Sequence, residues 1–140
     1  LKSQAMKNQY KEAIIRYFEK LNASDPDLLE IFADDVQYVV PGDMPVSGTF
    51  HGKEQIMNMW LSFFEQLEYI MVHPEELIAE GNTVVVRARG EAKTKTGNDY
   101  NNLYVFFFRF KDEKVVEVFE FPDTAYAETV AFGSRLVRSE

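Results

Sequence analysis

Apolar residues recur at steps of three and four near the start of the chain, at Met6, Tyr10, Ile14, Tyr17, Phe18 and Leu21. That period lays them along one face of an amphipathic helix over about residues 4–21. Asp25-Pro26 follows, a good N-cap beside a residue suited to the first helical position, and predicts a short second helix buried through Leu28, Leu29, Ile31 and Phe32. Asp34-Asp35 ends it, and residues 36–40 alternate as a short strand stopped by Pro41-Gly42. Two Pro and three Gly over residues 41–52 mark a loop. A third helix is expected from Gly52 to about Leu67, with Ile56, Met59, Trp60, Phe63, Phe64 and Leu67 on a wide apolar stripe.

Beyond that point the period falls from 3.6 to 2. Residues 69–80 and 83–93 read as strands joined by Gly81-Asn82, a two-residue hairpin signal. Gly97-Asn98 marks the next turn, 99–110 a long strand, 111–114 a further turn, and 115–122 a last strand. Residues 124–132 look helical, with Gly133 placed as a C-cap. Helices segregated from an antiparallel meander give the α+β class, as one domain over 1–140 with its core at about 8–133. In the long strand both alternating sets are apolar: Tyr104, Phe106, Phe108 and Phe110 on one face, Leu103, Val105 and Phe107 on the other. Both faces therefore need covering, one by helices and the other by a second subunit.

Composition narrows the function classes. Twelve Phe and seven Tyr must go into a core, an interface or a cavity wall. The net charge of −8 with no basic stripe argues against nucleic acid. The lack of Cys excludes a thiolate metal site, two His leave little material for an imidazole one, and no glycine-rich phosphate loop implies a cofactor. No apolar run reaches the roughly 18 residues of a membrane span, and the first residues lack a signal-peptide core. The expected location is the cytoplasm.

Three stretches carry a resemblance. They are Ile31-Phe32-Ala33-Asp34-Asp35-Val36-Gln37-Tyr38, then Gly48-Thr49-Phe50-His51-Gly52-Lys53-Glu54-Gln55-Ile56, then Tyr100-Asn101-Asn102-Leu103-Tyr104 through Glu120-Phe121-Pro122-Asp123-Thr124. In order and spacing the chain resembles the SnoaL-like proteins of the nuclear-transport-factor-2-like superfamily, which includes ketosteroid isomerase, polyketide cyclases and limonene-epoxide hydrolase. The resemblance implies a cone-shaped α+β barrel, open at one end, paired through its outer sheet face into a homodimer. It also implies an apolar small-molecule ligand and cofactor-free acid/base chemistry on a cyclic or polyketide-like compound. A non-catalytic binding or assembly module of the same fold is the alternative.

The isomerase route needs a carboxylate base in an apolar pocket and a second carboxyl to hold the enolate oxygen. Those positions align here with Val40 and Phe106, and of the three isomerase positions only the tyrosine of the first helix is kept, as Tyr17. Ketosteroid isomerisation by that route is not expected. An epoxide-opening Asp–Arg–Asp set does not assemble either. SnoaL-type cyclases place an Asp at the end of the last long strand, which matches Asp123 and makes it the candidate base, assisted by Tyr17 and His73. Asp123 equally suits the N-cap of the helix that follows. His73, before Pro74, is either a proton carrier or a half-exposed strand residue. Tyr38, Trp60, Asn102, Tyr104 and Phe106, with Phe119 and Phe121 on the strand face shared with Asp123, are the expected ligand-binding set.

Overall fold

In the computed structural model, which describes residues 2–133, the first apolar stripe forms helix α1 (Lys2–Asn22). It leads through a 3-10 turn (Leu28–Ile31) to strands β1 (Phe32–Val40) and β2 (Gly48–His51). Helix α2 (Gly52–Phe64) is followed by β3 (Leu67–Glu80), β4 (Thr83–Thr94), β5 (Leu103–Lys111), β6 (Lys114–Pro122) and the short helix α3 (Thr124–Val130). One sheet holds all six strands in the order β2-β1-β6-β5-β4-β3. Four of them form the expected antiparallel meander. The other two, β1 parallel to β6 and β2 antiparallel to β1, extend it on the far edge.

Three expectations change. The second helix is only a 3-10 turn, because the chain must already be extended at Phe32 to pair with Val115. Asp27 stands at the N-cap of that turn, and the Asp25 Oδ1 accepts from the Asp27 N–H at 2.8 Å just before it. The Pro/Gly loop contains a strand, since residues 48–51 pair with residues 37–40 of β1. Strand β5 starts at Leu103 rather than near Asp99, because the Asn102 side chain takes up backbone groups that a ladder would otherwise use. Its Oδ1 accepts from the N–H groups of Leu103 (2.8 Å) and Asp123 (3.2 Å).

The sheet's inner face packs against the helices, α1 on β3 and β4, and α2 on β1, β2 and β3. Val84, Val86, Phe106, Phe108 and Val118 point inward and are buried. Phe18 and Tyr17 of α1 meet Phe106 and Phe108 edge to face at centroid separations of 5.4 to 6.0 Å. Burying a ring of that size stabilises the fold by roughly 1.5–3 kcal/mol before entropy is counted, so this layer anchors α1. On the outer face Leu103 is 63% exposed, Ile78 57% and Phe121 43%. Both faces of β5 are therefore apolar, but the structure of one chain covers only one. Among the described residues no helix is long and apolar enough to cross a membrane.

Candidate functional site

Between the inner face of the sheet and the helices lies a cavity of about 680 Å³, its open mouth included. Aromatic rings dominate the wall, with Tyr17 and Phe18 from α1, Tyr38 from β1, Trp60, Phe63 and Phe64 from α2, and Tyr104 and Phe106 from β5. Tyr100 and Phe132 add two more, and aliphatic side chains fill the rest. A single ionisable carboxyl, Glu120 of β6, lines this wall, and among the described residues no Lys, Arg or His does.

The position of Glu120 follows from a β-bulge. Strands β5 and β6 turn with Lys111 opposite Lys114 and Phe110 opposite Val115. Arg109 then pairs with Glu117, so Val116 is an extra residue on β6. One inserted residue moves every following side chain to the other face. Glu120 thus sits opposite Phe106 on the inner face, while Phe119 and Phe121 pair with Phe107 and Val105 on the outer one. An unbulged hairpin reverses this, with Phe119 opposite Phe106 and Glu120 outside.

Burial pushes the Glu120 carboxyl up to about 7, and the hydrogen bond donated by Tyr38 holds it from rising further. The Tyr38 hydroxyl donates to Glu120 Oε1 at 2.5 Å, while the Trp60 ring stands perpendicular to Tyr38 at 6.0 Å. By accessible surface Glu120 is only half-buried. It is nonetheless deeply surrounded by protein, so the accessibility it keeps is onto the cavity. Glu120 Oε2 has no protein partner among the described residues, and it is not sealed from solvent-sized molecules. One carboxyl oxygen is thus held by the protein and the other faces the lumen. At neutral pH the group is close to half ionised, so it can either take or give a proton.

Four phenols surround this carboxyl. Burial raises Tyr17, Tyr38 and Tyr104 well above the ordinary tyrosine range and Tyr100 to about 12, with the charge of Glu120 adding to each. All four keep their protons at neutral pH and serve as O–H donors. Asn102 orients one of them. Its Nδ2 donates to the Tyr100 hydroxyl (2.8 Å) and to the Asp123 carbonyl (3.0 Å), so the Tyr100 oxygen accepts from the protein and its proton is left for another partner.

The sequence-predicted residues separate into two groups. Tyr17, Tyr38, Trp60, Tyr104 and Phe106 come together on the cavity wall. Asn102 is buried just behind it, as a hydrogen-bonding support. Asp123 is an exposed N-cap of α3 outside the wall, its Oδ1 accepting from the Tyr126 N–H at 3.1 Å. His73 stands on the outer face opposite Arg89, its Nε2 2.9 Å from Glu91 Oε2. Phe119 and Phe121 stack on each other on that same outer face, at 6.2 Å. The bulge at Val116 is the reason for the last placement. Glu120 was not among the expected residues; it is one of two acidic residues in a largely apolar strand, with Glu117, and strand parity turned it outward.

Among the described residues no cluster of His, Asp and Glu is arranged to hold a metal ion. Val40, which occupies the isomerase base position, is buried and does not line the cavity. It follows Val39 on β1 as Glu120 follows Phe119 on the adjacent strand, in the ladder where Val39 pairs with Phe119. The carboxyl comes from the neighbouring strand instead.

Comparison with known proteins agrees with this fold. No curated protein matches the chain. Among solved structures, a nuclear-transport-factor-2-like protein of unknown function from Burkholderia pseudomallei superposes with a TM-score of 0.83 at 21% identity, covering 88% of this chain and 97% of that one. TerC, crystallised with polyporic acid, gives 0.82 at 23% identity over 89% and 98% of the two chains. A putative SnoaL-like polyketide cyclase from Jannaschia sp. gives 0.78 at 20% identity over 92% and 95%. At such identities these likenesses show the fold. The model of the SnoaL-like domain matches residues 14–118, well over half of the chain, and on that match the protein belongs to the SnoaL-like family.

Proposed function

We propose that this protein binds an apolar, ring-bearing small molecule in the cavity and exchanges a proton with it through Glu120, without a cofactor. The observation that carries this is the single carboxyl, poised near neutrality, in a wall of aromatic rings. A neutral carbonyl compound suits the arrangement. The ionised carboxyl takes a proton from the carbon beside the carbonyl, and the C–H electron pair moves to form the enolate. The Tyr100 hydroxyl, or that of Tyr104, donates to the enolate oxygen, and the proton then returns from Glu120 to carbon. TerC, of the same fold, was co-crystallised with polyporic acid, which supports a small-molecule ligand. Deuterium uptake from D2O into the α-position of a cyclic ketone, followed by NMR, tests the assignment. Wild-type protein accelerates uptake and Glu120→Gln does not; equal uptake by both would refute the role of Glu120.

The outer face supports a homodimer. Leu103, Val105, Phe107, Phe119 and Phe121 form a contiguous apolar centre, with the Arg109–Glu117 pair at 2.8 Å at one end. On the β3–β4 side Arg87 lies 3.1 Å from Glu75 and 3.4 Å from Glu76. An apolar centre with a charged rim is the anatomy of a protein interface, and self-pairing covers it on both copies.

A further inference from the structure

We infer that the cavity is a binding site for hydrophobic amines, taken as monocations with the ammonium on Glu120 Oε2 and the rest of the molecule against the aromatic wall. The inference rests on the cavity being a ligand site, but not on any reaction occurring there.

Three observations converge on a cation. Among the described residues the cavity wall holds one acidic group and no basic one, so an ionised Glu120 meets no counter-charge from them. Its Oε1 is held by Tyr38 while Oε2 has no partner among the described residues and opens on the lumen. The groups around it present π faces and phenol oxygens. Trp60 leads, the ring type that attracts cations most strongly, with Tyr38 edge-on to it at 6.0 Å. A carboxylate anion entering this space meets a like charge and no donor stronger than a phenol, so anions are rejected. A neutral ligand offers the ionised carboxyl no counter-charge and gains nothing from its charge. A cation alone gains from both the carboxylate and the rings.

The titratable groups facing Glu120 are Tyr17 of α1, Tyr38 of β1, Tyr104 of β5 and Tyr100 just before it. All four have raised values and stay neutral across the working range. No titratable residue of α2, α3 or β3 lines the wall. Among the described residues Glu120 is therefore the one group in the wall that changes charge near pH 7. Amine binding selects its ionised form. Affinity then rises about tenfold from pH 6 to pH 8 and falls again once the ammonium itself loses its proton, and binding at pH 6 releases close to one proton from the protein.

Benzylamine, benzyl alcohol and benzoate share one ring and differ in charge, so calorimetric titration of the full chain with each separates the cases. The expected result is benzylamine binding at least tenfold more tightly than benzyl alcohol at pH 8, with benzoate not binding. The heat at pH 6 should depend on the buffer's ionisation enthalpy as release of one proton requires. Glu120→Gln should remove the amine preference and the proton release while keeping the benzyl alcohol site. Benzylamine and benzyl alcohol binding equally, or Glu120→Gln retaining the amine preference, would overturn the amine inference and leave the ligand-site reading standing. If none of the three binds, both fall.

Discussion

Replacing Glu120 with Gln should make the protein more stable at neutral and alkaline pH, although it removes a hydrogen-bonded group from the candidate site. In the folded state the carboxyl is raised from 4.5 to about 7 because burial disfavours its charge. Such a group contributes its full share to stability below the unfolded value and loses it as pH rises through the folded value. Between pH 4.5 and pH 7 the wild-type protein therefore loses about 3 kcal/mol of stability from this side chain, at about 1.4 kcal/mol per unit. Water reaching the half-buried group through the cavity mouth trims this toward about 2 kcal/mol. The amide is neutral throughout, nearly the same shape, and its Oε1 still accepts from Tyr38. Urea denaturation of both proteins from pH 4 to pH 9 isolates the effect, because every other titrating group is common to the two and cancels in the difference. The stability of Glu120→Gln relative to wild type should rise by about 2–3 kcal/mol between pH 4.5 and 7 and then stay level. A flat difference would show a carboxyl that folding leaves unshifted, one that falls with pH a folded protein that prefers Glu120 ionised, and either would remove the basis for its role.

Tyr38→Phe should raise Glu120 further above 7, since it deletes the donor that favours the charged form; the carboxyl 13C shift in an NMR titration reads this directly, and an unchanged or lowered value refutes it. Asp123→Ala should cost about 1 kcal/mol in urea denaturation, the usual loss of an N-cap, and leave both ketone deuteration and ligand affinity unchanged. Loss of deuteration with the fold intact would restore Asp123 as the base. In sedimentation at micromolar concentration wild type should run as a dimer of 16.2 kDa chains, and Leu103→Asp with Phe121→Asp as a monomer. A wild-type species of one chain's mass refutes the pairing.

Part of the cavity wall was legible from periodicity and resemblance together. Tyr17 shares the stripe of α1, Trp60 that of α2, and Tyr104 and Phe106 share the parity of the buried β5 face. These are local repeats read against a core, and nothing intervenes to shift them. The missing isomerase carboxylates at Val40 and Phe106 were legible too, because they depend only on residue identity. Asp123 kept two roles open in the sequence; the structure gives it the cap, with Tyr126 N–H as its partner.

The acidic residue of the site was decided by tertiary structure alone. Strand β6 has apolar side chains on both faces, so hydrophobic alternation assigns neither face to the core, and the more aromatic set, Phe119 and Phe121, looks like the inner one. The sequence by itself determined that one face of β5 is buried and that β6 pairs with it through a tight turn. Which face of β6 follows depends on whether Val116 is paired, and no local propensity carries that information. The bulge arises where β6 must pair with β5 on one side and β1 on the other, and the ladder to β1 is irregular at the same place, between the Phe32–Val115 and Gln37–Glu117 pairs. A single unpaired residue there turns Phe119 and Phe121 out to the open face and Glu120 in among the rings, because the period of a strand is two.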